Sequence, residues 1–107
     1  IDRLAPTIAG TNPASNATNV LIAQVVTVTF NEIIQAGPTY DDIQIMQGGN
    51  GISITSKTIS GNVLTLDHIP FSRNKSHSVS IPSSAVTDLA GNPLSATYSF
   101  SFTAGNR

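Results

Sequence analysis

The chain has no cysteine and no tryptophan, and only 10% of its 107 residues are charged. Without cysteine there is no disulfide, no thiolate metal site and no thiol nucleophile. That absence does not place the protein inside a cell. A chain of this length can bury roughly 60–70% of its unfolded surface and so hold a core without crosslinks. Basic residues are few as well: Arg3, Lys57, Arg73, Lys75 and Arg107 stand against six acidic ones, for a net charge of −1. They are spread along the sequence, so the basic footprint of nucleic-acid binding is missing. So is a polybasic run that would hold a membrane surface. Long apolar stretches are absent too. Val20-Leu21-Ile22-Ala23 is far shorter than the ~20 residues that cross a bilayer, and no membrane insertion is expected. Nor is there an initial methionine or a signal-peptide pattern. The sequence reads as one domain over residues 1–107, cut from something larger, with linker-like ends at 1–6 and 104–107.

Hydroxyls take the place of charge. Serine and threonine supply 25 of the 107 residues. A surface made soluble by hydroxyls rather than by Lys and Glu fits an extracellular β-domain, at a cell surface or secreted.

Helical periodicity is nearly absent, whereas short β-type runs recur between Gly, Pro, Asn and Asp clusters. The alternation in Thr97-Tyr98-Ser99-Phe100-Ser101-Phe102-Thr103 puts Tyr98, Phe100 and Phe102 on one face of a strand and the hydroxyls on the other. Further runs fall at residues 7–10, 25–30, 43–46, 52–55 (extending towards 59), 63–66 and 77–81. Gly61-Asn62 marks a tight hairpin turn, because both residues tolerate positive φ. Ser83-Ser84-Ala85-Val86 is expected to form one helical turn with a Ser cap. Seven strands in about 100 residues predict an all-β, immunoglobulin-like sandwich of antiparallel strands in two sheets without a disulfide. The expected core is Val28, Phe30, Ile45, Leu64, Leu66, Val79, Ile81, Phe100 and Phe102.

Several of these segments resemble the Ig-like domain of bacterial and archaeal S-layer and other cell-surface proteins, the SbsA-type bacterial Ig-like family. The resemblance runs through Ala5-Pro6-Thr7, Asn12-Pro13-Ala14, Val26-Thr27-Val28-Thr29-Phe30-Asn31-Glu32, Gly61-Asn62-Val63-Leu64-Thr65-Leu66 and His77-Ser78-Val79-Ser80-Ile81. It ends with Val86-Thr87-Asp88-Leu89-Ala90-Gly91-Asn92-Pro93-Leu94 and Tyr98-Ser99-Phe100-Ser101-Phe102-Thr103. The Asp-Leu-Ala-Gly-Asn turn and the Phe-x-Phe-Thr ending are its most specific parts. His77 departs from it, standing where the family often has Tyr. The resemblance implies a non-catalytic module, commonly repeated in tandem, in secreted or cell-wall proteins.

Candidate chemistry is sparse. Asp88 and Asn92 offer oxygens of the kind calcium takes, and calcium is the one cofactor any segment suggests. Calcium wants six to eight oxygens, and the loop supplies few. The stronger expectation is a structural turn in which Asp88 accepts backbone N–H bonds while Gly91 and Asn92 take left-handed conformations. Glu32, the only Glu, closes a core strand and is read as bonding nearby loop amides. A glycosidase pair drawn from Glu32, Asp41, Asp42, Asp67 and Asp88 is not selected by any spacing. His68 and His77 lack the third ligand of a zinc site, and no Gly-x-Ser-x-Gly elbow occurs. Lys57 and Lys75 sit in polar contexts unlike those of an isopeptide crosslink. Asn16-Ala17-Thr18 and Asn74-Lys75-Ser76 are glycosylation sequons in expected loops.

The expectation is a spacer or adhesion module whose partners are neighbouring domains of its own chain, with cell-wall or extracellular glycans or proteins as further partners. The rival is a carbohydrate-binding module appended to an extracellular hydrolase. That role needs an exposed aromatic platform, for which Tyr40 is the one candidate.

Overall fold

Alternating β-branched and aromatic residues build strands here because each strand has one face to bury. The computed structural model describes residues 5–107; Arg3 and the start of the expected leading linker lie outside them. The elements are β1 (Ile8–Asn12), β2 (Val26–Phe30), β3 (Ile34–Ala36), a 3-10 turn (Tyr40–Asp42), β4 (Gln44–Gln47), β5 (Asn50–Ile52), β6 (Ile54–Ser60), β7 (Val63–His68), β8 (Ser76–Ile81), β9 (Val86–Asp88) and β10 (Tyr98–Thr103). They form two four-stranded sheets, ordered β1-β2-β7-β6 and β10-β8-β4-β5, and a small ribbon, β3-β9. All these strand pairs are antiparallel.

The inward faces meet in one apolar layer. Val26, Val28 and Phe30 of β2 face it, as do Leu64 and Leu66 of β7, Val79 and Ile81 of β8, and Phe100 and Phe102 of β10. All nine expected core residues are at most 4% exposed. Phe71, Val86 and Leu94, which no periodicity marks, are buried with them. Tyr98 is half-buried at the margin of the layer.

Three features depart from the sequence expectation. The run at 52–59 is not one strand. Ile52 pairs with Ile45 in one sheet and Ile54 with His68 in the other, so the chain changes sheets at Ser53. Both isoleucines remain half-buried, and an alternation that continues through a corner cannot reveal it. Residues 83–86 form no helix. A tight turn closes with Ala85 N–H on the Pro82 carbonyl (2.9 Å) and β9 begins at once. Finally, β3 and β9 are three residues each, too short to show a period, and they pair Ile34 with Asp88 and Ala36 with Val86 across a long stretch of chain. These three differences account for ten strands where seven were expected.

Gly37 seals the ribbon to the body. Its N–H donates to the Ala85 carbonyl (2.9 Å), and a Cβ there would collide with the Ser84 carbonyl oxygen. At the β6–β7 hairpin only Gly61 takes a positive φ, 60°. That is the first central position, where a type II′ turn requires it.

The molecule measures 48 × 21 × 21 Å. At its head pole lie Thr7, whose carbonyl receives Asn31 N–H, then Gly61, and the β3–β9 end with residues 88–92. At its tail pole lie residues 20–25, Ser53, Ile69, the 72–75 loop and residues 104–107, tied by Ile22 N–H to the Arg107 carbonyl (2.7 Å) and Asn74 N–H to the Gly105 carbonyl (2.9 Å). Thr7 and Arg107 thus lie at opposite ends of the rod.

Truncating the central aromatic tests this layer. Phe102→Ala should lower unfolding free energy by about 3–5 kcal/mol in a urea titration. Ser101→Ala, on the exposed face of the same strand, should stay within about 0.5 kcal/mol of the parent.

Candidate functional site

The most elaborately built polar feature is the turn at residues 88–92. The Asp88 carboxylate is fully buried at the end of β9. Its Oδ1 accepts Ala90 N–H (2.9 Å) and Asn92 N–H (2.8 Å), and its Oδ2 accepts the Asn92 side-chain amide (2.9 Å). The main chain closes the same loop, with Asp88 N–H donating to the Asn92 carbonyl (2.9 Å) and Gly91 N–H to the Asp88 carbonyl (3.0 Å). Gly91 takes a φ of 92°, whereas Asn92, expected to be left-handed too, does not. Its two amides are instead aimed at Asp88. The oxygens a calcium ion would use are engaged by N–H donors, an arrangement that satisfies a carboxylate rather than one that gathers cation ligands.

The other candidates are dispersed. Glu32 is half-buried in the β2–β3 turn at the head pole, Asp41 and Asp42 are exposed on the 3-10 turn, and Asp67 sits near the tail pole at the end of β7. Among the described residues no group of three or more His, Asp or Glu could hold a metal ion. Lys57 pairs with Asp41 (3.4 Å), whose side chain is 98% exposed. Its acid partner thus lies in open solvent, unlike the dry setting of an isopeptide bond. Lys75 is exposed. Asn16 and Asn74, the sequon residues, are both exposed, with φ of 67° and 58°.

Tyr40 makes a poor sugar platform. It is half-buried, and Lys57 Nζ lies 4.9 Å from its ring centroid while donating to the Tyr40 carbonyl (3.1 Å). Burial, then the neighbouring Asp41, raises the phenol above its ordinary value of 10.0. Three shallow, open grooves of about 290, 270 and 290 Å³ mark the surface. The first lies beside Lys57 and Ile52 and the second between Ile8 and Tyr98; neither brings converging acids and imidazoles together.

The histidines belong to an aromatic cluster. His68 stacks on Phe71 (4.1 Å between centroids), which packs on His77 (4.9 Å) and Phe102 (5.0 Å). Both His68 nitrogens lie 2.6 Å from carbonyl oxygens, those of Ile69 and Gln24. His77 is fully buried. Ser72 N–H donates to its Nε2 (3.1 Å) and its Nδ1–H faces the Lys75 carbonyl (2.9 Å). One nitrogen accepts and the other donates, so this pocket suits the neutral ring. Desolvation lowers the His77 pKa below the ordinary 6.5, outweighing the Lys75 carbonyl, which raises it. Only position 77 in its strand was visible in the sequence. Phe71, the hub of the cluster, follows a proline in a loop and carries no periodic signal.

The bacterial Ig-like domain profile matches residues 2–104. The chain belongs to the bacterial Ig-like domain family. This Ig-like chain is similar in fold to the N-terminal part of the bacterial S-layer protein SbsC, with a TM-score of 0.67 and 19% identity, covering 95% of this chain and 24% of that one. It is similar also to SbsC domains 1–6, with a TM-score of 0.67 and 19% identity over 96% of this chain and 14% of that one. CopC from Methylosinus trichosporium OB3b superimposes with a TM-score of 0.69 and 16% identity, over 95% of both chains. At these identities the likeness concerns the fold. The Ig-like chain spans about a quarter or less of the S-layer chains. No curated protein matches it.

Two measurements check the site. Asp88→Ala strands at least two N–H donors and should cost about 2–4 kcal/mol in denaturant unfolding, while millimolar calcium should leave the parent's melting temperature unchanged. The pH dependence has a defined sign. Below 6.5 the unfolded chain takes up a proton that folded His77, its pKa lowered, does not, so stability falls as pH falls from 6.5 towards the folded value. A His77→Gln variant should show a flatter melting-temperature profile over that interval.

Proposed function

We propose that this domain is a non-catalytic structural module, a spacer or adhesion bead within a larger cell-surface or secreted protein. The observation that carries this reading is the path of the chain: Thr7 and Arg107 lie at opposite ends of a rod 48 Å long. A domain of that shape inserted into a polypeptide holds its neighbours apart. The fold it shares with S-layer domains supports the same reading, as does a surface rich in hydroxyls and poor in charge. No helix among the described residues is long and apolar enough to cross a membrane. The carbohydrate-binding alternative loses its support at Tyr40, where a lysine occupies a ring face.

The absence of cysteine makes a direct test simple. Dyes on Thr7→Cys and Asn106→Cys should report a separation near the 48 Å long axis. An antibody against the chain should label intact cells that make the protein. Dyes much closer together, labelling only after permeabilisation, or steady turnover of an ester or glycoside would each overturn the reading.

A further inference from the structure

Chemistry that needs no cleft can still mark one place on a chain, and here it falls on the β4–β5 hairpin. Nine asparagines stand in the sequence, and only Asn50 is followed by glycine. A glycine after asparagine removes the Cβ that would keep its main-chain nitrogen away from the asparagine side chain. Three of the other asparagines are tied down. Asn31 Oδ1 accepts Thr7 N–H (2.9 Å), Asn62 Nδ2 donates to the Phe30 carbonyl (2.9 Å) and Asn92 Nδ2 to Asp88 (2.9 Å). Asn12 and Asn92 precede proline, whose nitrogen carries no hydrogen to lose. Asn50 is exposed, and among the described residues its side chain makes no hydrogen bond.

The strand that holds it is weakly held itself. β5 is three residues long and stands at the end of its sheet, so only β4 pairs with it. It follows the two-residue turn Gly48-Gly49, with Gly48 at a φ of 61°. Gln47 faces Asn50 across the turn, and Met46 faces Gly51. In such a hairpin the pair flanking the turn exchanges both ladder bonds and the next pair exchanges none. Gly51 N–H therefore points away from β4, over the open edge of the sheet, and among the described residues it has no acceptor. A side chain built on Gly51 would meet only Met46 Sδ, at 3.9 Å, so there is space for a five-membered ring. The extended backbone keeps Gly51 N out of line with the Asn50 side chain, and ψ of Asn50 must first rotate. A short edge strand after two glycines is the kind of segment that opens locally while the core stays folded.

We propose that Asn50-Gly51 is a self-modification site of the folded domain, with the chain itself as substrate and water as co-reactant. Gly51 N, losing its proton to solvent, attacks Asn50 Cγ. The N–Cγ bond forms, the Cγ–Nδ2 bond breaks, and Nδ2 takes up a proton and leaves as ammonia. The cyclic imide then adds one water at either carbonyl. Water at Cγ restores the ordinary peptide and leaves aspartate. Water at the main-chain carbonyl leaves isoaspartate, whose peptide runs through the side chain. Either product adds one negative charge to the −1 of the unmodified chain. Isoaspartate also inserts a methylene into the main chain, so Gly51 and Ile52 lose their register with Met46 and Ile45. Ile52 packs against the core, and the change therefore loosens one edge of the sheet with age. None of this rests on the spacer reading.

Incubating the purified chain at mildly alkaline pH, in native buffer and in urea, tests the proposal. Intact mass should rise by about 1 Da as an amide becomes an acid. Peptide fragmentation should place the first change at Asn50 in both solutions. A protease that cuts before aspartate but not before isoaspartate separates the two products. Gly51→Ala, which needs no positive φ and meets only Met46, should fold and all but lose the change at Asn50. The isoaspartate fraction should melt below the parent, whereas Asn50→Asp should melt with it. Conversion in urea alone, first conversion at another asparagine in native buffer, or an unchanged rate in Gly51→Ala overturns the site. An isoaspartate fraction that melts with the parent overturns the loosened edge.

Discussion

Everything in this fold depends on the single layer of apolar side chains between the two sheets. No disulfide crosses it, and neither cysteine nor tryptophan is available to anchor it. Each half-buried strand has value only because its partner sheet covers it. Phe102 shows how much rests on one position, since it touches the core aromatics Phe100 and Phe71 and stacks on His77. Burying each such side chain is worth about 1.5–3 kcal/mol, against a net stability for ordinary domains of about 5–15 kcal/mol. The layer therefore has few side chains to spare.

The same layer sets the shape. Strands aligned along one axis place the Gly61 and 88–92 turns at one pole and the 72–75 loop at the other, while the 3-10 turn lies against Lys57 on a flank. The polar investment follows that plan. The Asp88 turn closes the head pole and the His77 pocket closes the tail, each satisfying buried polar atoms with local main-chain groups. Neither leaves the unpaired, converging groups that acid–base or metal chemistry requires. What the poles carry beyond this is exposed leucine, isoleucine and valine. These exposed apolar residues are Leu21, Val25, Ile33, Ile69 and Leu89.

Much of this was legible in the sequence, for identifiable reasons. The period-two pattern in residues 25–30, 63–66, 77–81 and 97–103 marks strands with one face turned to the core, and all four lie where expected. The Asp88 turn was legible because Asp, Gly and Asn at that spacing have few other uses. The ribbon β3–β9 was not. Three residues cannot display a period, and Gln35 reaches Thr87 only through folding (3.2 Å). The corner at Ser53 was hidden because alternation persists across it. Phe71 was missed because a loop residue buries itself without a pattern. The gathering of Arg73, Lys75 and Arg107 at one pole was equally invisible, since in the linear chain 32 positions separate Lys75 from Arg107.

The central claim is that one apolar layer joins both sheets into a single cooperative unit. Pulling the chain from positions 5 and 107 in a single-molecule force experiment tests it most directly. The account predicts one unfolding step that lengthens the tether by about 300 Å, the extended length of the chain less its folded length. Two or more smaller steps, with one sheet yielding while the other stays folded, would contradict it.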